Sequence, residues 1–248
     1  MAEPDLSTFK SLILQKQFSK CQLLLSKSLK THPLHPELLY LRAFLHRKNS
    51  KFEDALLDLE ASYKNLPQQH PLESEIRSQI GLTYNEMGQV LFSKGRYDES
   101  IEIFNEALKF RENDWGILMN RGDCHVKVKN YREGLRDFVM GFEKAGDLRE
   151  ITIRIANVYY LLGLEEFNRK DYKGALKEFE KMIAFRGDFA GYYVIRGKCF
   201  YELNDCKNAY EDFKKAVEID KGNQEARNYM GLIKKPENKP KKQVIYLE

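Results

Sequence analysis

Residues 82–108 read LTYNEMGQVLFSKGRYDESIEIFNEAL, and their pattern decides the fold. After Gly95 the apolar residues Tyr97, Ile101, Phe104, Ala107 and Leu108 fall on one face of a helix with a period near 3.6. Before it, Tyr84, Met87 and Gly88 sit on a second helical stretch, so the segment is a helix, a turn and a helix. Neither helix has enough apolar face to fold alone. The surroundings favour helix as well. The seven prolines are Pro4, Pro33, Pro36, Pro67, Pro71, Pro236 and Pro240, which leaves 72–235 without the residue that most strongly breaks a helix.

The same landmarks return down the chain. The segment with Tyr84, Met87, Gly88, Gly95, Tyr97, Ser100, Phe104 and Ala107 is followed by Leu118, Arg121, Gly122, Tyr131, Gly134, Phe138 and Gly141. A third set is Tyr159, Leu162, Gly163, Tyr172, Ala175, Phe179 and Met182, and a fourth is Tyr193, Arg196, Gly197, Phe200, Ala209, Phe213 and Ala216. Gly88 to Gly122 and Gly163 to Gly197 are both 34 residues, whereas Gly122 to Gly163 is 41, an insertion of about seven. Weaker copies precede them, one with Leu39, Ala43, Phe52, Ala55 and Leu59, and one with Phe18, Cys21, Leu25 and Pro33.

This pattern resembles the tetratricopeptide repeat, in which a small residue on helix A lets helix B cross closely while aromatic side chains fill the groove beside the contact. The expected architecture is all-α: an α-solenoid of about six helix-turn-helix repeats in a right-handed superhelix, closed by a C-terminal cap helix and an extended tail. The expected boundaries are a single domain over 1–234, with repeats near 2–35, 36–69, 81–114, 115–148, 156–189 and 190–223. A cap helix over 223–233 and a flexible basic tail over 235–248 complete the scheme. The first helices of two repeats should start early, near Glu73 and Arg149, and offer extra turns to a partner. Gly146 and Gly187 should stop helices through left-handed caps.

Between about 76 and 233 the chain looks closer still to one member of the family, on the strength of Leu82-Thr83-Tyr84-Asn85, Gly95 with Tyr97, Asn105-Glu106-Ala107-Leu108, Asn120-Arg121-Gly122-Asp123-Cys124 and Met230-Gly231-Leu232-Ile233. That resemblance implies an all-helical, non-enzymatic protein tied to cilia or sperm flagella. It brings no catalytic or ligand residues with it.

Composition narrows the function. Of 248 residues 42% are hydrophobic and 31% charged, which describes a globular chain, and no apolar run approaches a membrane span. The formal charge is +4, of which +3 falls in residues 234–248, so the body presents no one-signed surface for nucleic acid. The acidic N-terminus is unlike a signal peptide, and the expected location is the cytoplasm or the axoneme of a cilium or flagellum.

Catalysis has no foothold. No phosphate-binding glycine loop, nucleophile elbow or H-E-x-x-H motif occurs. Cys21, Cys124, Cys199 and Cys206 form no C-x-x-C pair, and Cys124 and Cys199 hold the same helix A position, which suits a small packed side chain. His46 and His125 stand where helix A carries its second aromatic, and His32 and His35 lack metal-ligand company. Arg121-Gly122-Asp123 spells an adhesion tripeptide but includes a packing glycine. Glu211-Asp212 and Asp98-Glu99 read as solvated outer faces of B helices. The expectation is therefore no catalytic residue, no cofactor and no metal.

What remains is the face the A helices share. Projecting the repeat onto it gives Tyr40, Phe44, Asn85, Gln89, Phe92, Met119, Asp123, Asn157, Tyr160, Val194, Leu164, Phe167, Lys198 and Tyr201 as partner-binding residues. Such a surface suits an extended or helical peptide with apolar anchors. Chaperone-binding members of the family hold a C-terminal carboxylate with Lys and Asn on one helix A, Asn on the next, and Lys and Arg on a third. Here Asn120 fits, but Asn85, Gln89, Asn157 and Leu161 replace the other four, and a carboxylate would be desolvated without its cations. The reading is a protein–protein scaffold within an axonemal or related cytoskeletal complex, with microtubule or axonemal proteins as partners of the basic tail. The alternative is an adaptor or co-chaperone that binds clients transiently. Neither reading includes nucleic-acid binding or membrane insertion.

Overall fold

The computed structural model describes residues 5–146 and 148–234, and every regular element among them is a helix. In chain order these are α1 (Leu6–Leu14), α2 (Phe18–Thr31), α3 (Pro36–Lys48), α4 (Phe52–Lys64), α5 (Leu72–Ser93), α6 (Tyr97–Phe110) and α7 (Trp115–Lys127), then α8 (Tyr131–Ala145), α9 (Arg149–Asn168), α10 (Tyr172–Phe185), α11 (Ala190–Glu202), α12 (Cys206–Ile219) and α13 (Gln224–Lys234). The two early starts are present, at Leu72 and at Arg149. The tail over 235–248 lies outside the described residues. By packing the chain parts into two compact units, 1–144 and 145–248.

In the first unit α3/α4, α5/α6 and α7/α8 form A/B pairs, and α1/α2 precede them. Each later pair closes around a glycine facing a phenylalanine 16 residues on. A methyl added to Gly88 would stand 2.6 Å from the Phe104 ring, and one added to Gly122 would stand 2.5 Å from that of Phe138. Both rings are fully buried, so the close crossing is fixed by volume, with no room for a Cβ. In the second unit α9/α10 and α11/α12 repeat the device, with Gly163 against Phe179 at 2.3 Å and Gly197 against Phe213 at 2.8 Å. α13 adds a further A-type helix, and its Gly231 meets nothing within 4 Å.

The turn from A to B has one backbone requirement. Gly95 adopts φ +76°, and the same step is left-handed at Lys16, Ser50, Lys129, Lys170 and Asn204. Glycine is needed at none of these by sequence, yet each non-glycine residue there holds a conformation costing roughly 1–2 kcal/mol. Of the two helix stops expected to be left-handed, Gly146 is, at φ +80°. Gly187 is not. α10 instead ends with Arg186 extended at φ −147° and salt-bridged to Asp188 at 2.7 Å, while Tyr193 Oη donates to the Gly187 carbonyl at 3.2 Å.

A second device is an ion pair inside alternate helix pairs. Arg42 with Asp58, Arg121 with Asp137 and Arg196 with Asp212 are each bidentate at 2.6–2.8 Å, and the aspartates are only 2–6% exposed. The hydrogen bond to Asp212 raises the Arg196 guanidinium pKa further, as the bond to Asp58 does for Arg42. Asp212 thus departs from the solvated outer face expected of it, because a guanidinium from helix A covers it. Glu211 is exposed as expected. In the intervening pairs the same two places hold Met87 with Ile103 and Leu162 with Glu178.

Alternation of the ion pairs and of long and short A helices gives a period of two repeats. Residues 76–144 and 151–219 align at an offset of 75: Ile76 with Ile151, Ile80 with Ile155, Tyr84 with Tyr159, Gly88 with Gly163, Phe92 with Phe167, Arg121 with Arg196 and Cys124 with Cys199. One lies in each unit.

Candidate partner-binding face

α5 and α7 place three of the expected residues around one pocket. Gln89, Phe92 and Asp123 line it with Asn120 and Phe104, and its volume is about 70 Å³, close to a single small apolar side chain. Its floor is the two rings and its rim is polar. Asn120 donates to the Asn85 side-chain oxygen at 3.0 Å, which holds both amides at the edge. Further toward the N-terminus, Tyr40 and Phe44 are half-buried with Arg47, Gln79 and Thr83. Tyr40 Oη donates to Glu75 at 3.3 Å, and burial together with the Glu75 charge pushes the phenol pKa up to about 12.

In the second unit Tyr160 rests on Phe179 and Tyr192, with ring centroids 6.3 Å apart in both cases, and Tyr192 Oη donates to exposed Asn157 at 3.2 Å. Leu164 and Phe167 are half-buried, and Phe167 packs edge-on against Tyr172 at 5.3 Å. Lys198 and Tyr201 are engaged by α13: Lys198 pairs with Glu225 at 2.5 Å, and Tyr201 meets the Tyr229 ring at 5.5 Å.

Two assignments change. Met119 is 5% exposed, and its methyl fills the space beside Gly141 of α8, so it is a packing residue. Val194 is likewise buried, in the core of the last pair. Met119 is covered by the B helix of its own pair, and Val194 packs with Ala209, Phe213 and Ala216 of its partner helix α12.

Glu75, Asn120 and Tyr192 join the face without having been projected onto it. Glu75, in the early-starting part of α5, bonds Tyr40 across copies that lie 45 residues apart from Ala43 to Gly88, whereas Asn120 and Tyr192 each bond a residue 35 positions earlier, one more than the repeat, Asn85 and Asn157 respectively. For these two that offset is the available sequence signal, because successive A helices meet at positions one residue out of phase. Phe189, 56% exposed and edge-on to Tyr192 at 5.0 Å, extends the aromatic surface and carries no periodic signal.

The other candidate groups are structural. Cys21, Cys124 and Cys199 are buried, and burial raises all three thiol pKa values, that of Cys199 to about 12. His125 is half-buried beside the Arg121–Asp137 pair, where Phe200 lies under Arg196 in the second unit. Arg121 and Gly122 are both occupied in packing, which removes the tripeptide as a recognition motif. Among the described residues no three His, Cys, Asp or Glu side chains cluster to hold a metal, and no helix is long and apolar enough to cross a membrane.

The repeat, the pairing of helices and the face together define the class. Residues 81–114 and 190–223 each match a family model described as tetratricopeptide repeat, so the chain carries tetratricopeptide repeats at these two places. It is similar to tetratricopeptide repeat protein 16 of Mus musculus, 24% identical over 85% of this chain and 28% of that one. It is also similar to BBSome complex member BBS4 of Bos taurus, 24% identical over 89% of this chain and 32% of that one. The chain therefore spans about a third or less of these relatives. Among solved structures it is similar to YrrB, described as a TPR protein with an unusual peptide-binding site. The two are 18% identical, the match covers 82% of this chain and 96% of that one, and the TM-score is 0.48.

Proposed function

We propose that the protein is a non-enzymatic protein–protein interaction scaffold whose A helices hold a partner segment, and that it is a built-in subunit of a ciliary or flagellar axonemal complex or a related cytoskeletal assembly. The observation that carries the first part is the pocket of Gln89, Phe92, Asn120 and Asp123, an apolar floor inside a polar rim that fits a peptide side chain. The aromatic surface of Tyr160 and Phe167 offers a second anchor site of larger area. The closer resemblance of residues 76–233 and the similarity to a named complex member support the ciliary setting, while the similarity to Hsp70-Hsp90 organising protein of Plasmodium falciparum fits the transient adaptor equally. The basic tail is proposed as a contact to acidic microtubule or axonemal surfaces.

The test is affinity purification of the tagged chain from ciliated cells with a high-salt wash. Axonemal proteins retained at stoichiometric levels are expected, with loss on Tyr160→Ala plus Phe167→Ala in a chain whose helix content is unchanged. Recovery of chaperones alone would favour the adaptor. Deletion of 235–248 with no loss of attachment would remove the tail from the reading.

A further inference from the structure

The face of α5 opposite the partner-binding pocket carries a cleft of about 520 Å³. Gln89 and Phe92 project toward the pocket, while Met87, Val90, Leu91 and Lys94 are turned roughly half a helical revolution away, given about 100° per residue. Phe52 at the start of α4 and Ile103 of α6 complete an apolar floor, and Glu53, Lys94, Arg96, Glu99 and Glu102 form the rim. Volumes of this order hold ligands rather than single waters.

The second unit shows that the fold does not require this floor. At the offset of 75, Val90, Leu91 and Ile103 become Glu165, Glu166 and Glu178, and Glu102 becomes Lys177. There the surface is an ordinary charged one, with Glu166 paired to Arg169 and Glu178 to Lys181, both at 3.1 Å. One copy of the module folds with carboxylates at three places where the other has aliphatic side chains at an open cleft, Val90 and Ile103 part-exposed and Leu91 buried. Water-facing apolar surface that packing does not need marks an interaction site.

We infer that this cleft is a second binding site, separate from the A-helix face, for a segment of a partner protein that inserts two apolar side chains flanked by lysine or arginine. The floor selects the anchors by burying them. Charge selects the flanks: Arg96 is held by Glu99, and among the described residues neither Glu53 nor Glu102 has an ion-pair partner, which leaves two carboxylates against the one ammonium of Lys94.

The experiment uses the full chain against synthetic twelve-residue peptides carrying two leucines flanked by lysine, glutamate or serine, read by fluorescence anisotropy. Lysine-flanked peptides are expected to bind most tightly. Val90→Glu with Ile103→Glu, which installs the residues of the second unit, should weaken them at least tenfold with the thermal melt unchanged. Glu53→Lys with Glu102→Lys keeps the floor and should abolish the preference for lysine flanks. Lys207→Ala, exposed on α12 of the other unit and outside both sites, should change nothing. Undiminished binding to the first variant, equal affinity for glutamate-flanked peptides, or no binding by any peptide each overturns the site.

Discussion

Tyr84 lies flat on Phe110 at 6.2 Å in the first unit, and 75 residues later Tyr159 lies flat on Phe185 at 5.9 Å. Phe92 meets Tyr97 edge-on at 5.3 Å, and Phe167 meets Tyr172 at the same distance. The interior of the module is held to a few tenths of an ångström. Its surface is not. Gln89, Asn120 and Asp123 around the first pocket correspond to Leu164, Ile195 and Lys198, so a polar, acidic edge is replaced by an aliphatic one with a cation. The difference teaches that close packing dictates the buried residues of each pair, while the exposed ones are free to specify partners.

The strongest way to break this comparison is to remove its shared anchors. Phe104→Ala and Phe179→Ala each delete a fully buried ring, and each is expected to cost about 3–5 kcal/mol in urea unfolding. Losses that differ by more than about 1 kcal/mol would show that the two interiors are not equivalent. Next in size is the ion pair. Arg121→Ala leaves Asp137 buried without its guanidinium and should cost about 2–3 kcal/mol, below the full penalty for a buried pair because Arg121 is 21% exposed. Arg121→Met with Asp137→Ile copies Met87 and Ile103 and should return stability to within about 1 kcal/mol of the natural chain. If the double variant is as unstable as the single one, the alternation of polar and apolar pairs is not interchangeable.

A smaller effect sits in the turns. Lys170 corresponds to Gly95, and both are left-handed. Lys170→Gly should raise stability by about 0.5–1 kcal/mol and Gly95→Lys should lower it by a similar amount. The two substitutions exchange one backbone cost between the units, so equal signs would sink the equivalence of the turns.

The fold was legible in the sequence because its constraints are local and repeat: a glycine, a phenylalanine 16 residues on, and small residues at helical spacing leave a periodic mark. The early starts of α5 and α9 were legible too, as extra residues between copies. What the sequence hid were the contacts between helices that are not periodic in one chain position. Asp58, Asp137 and Asp212 look like surface acids until Arg42, Arg121 and Arg196 fold over them. Met119 lies on the projected face by phase alone, and only the neighbouring helix shows that it is covered. Gly187 reads as a helix stop, but the Arg186–Asp188 pair performs that function without a left-handed residue. Of the candidate site, Gln89, Phe92 and Asp123 converge, whereas Lys198 and Tyr201 are drawn to α13 by residues with no counterpart in the pattern.

The smallest effect separates the units by pH. His125 stands where the second unit has Phe200, and burial lowers its pKa, with Asp137 and Glu133 opposing that shift and Arg121 adding to it. Its Nδ1 is buried without a hydrogen-bond partner, so a proton taken up there gains no acceptor. Because the folded pKa lies below the unfolded value near 6.5, the unfolded chain binds more protons as pH falls. This contribution is therefore fully present above about pH 6.5 and is lost progressively as pH falls through that value toward the folded pKa. His125→Phe removes the group and installs the ring of the second unit. The Tm difference between the variant and the natural chain at pH 8 reports packing alone, and it should shift in favour of the variant between pH 7 and pH 5.5. A difference that stays constant over that interval would mean that His125 keeps its proton equilibrium on folding, and that burial beside the Arg121–Asp137 pair does not disfavour its charged form.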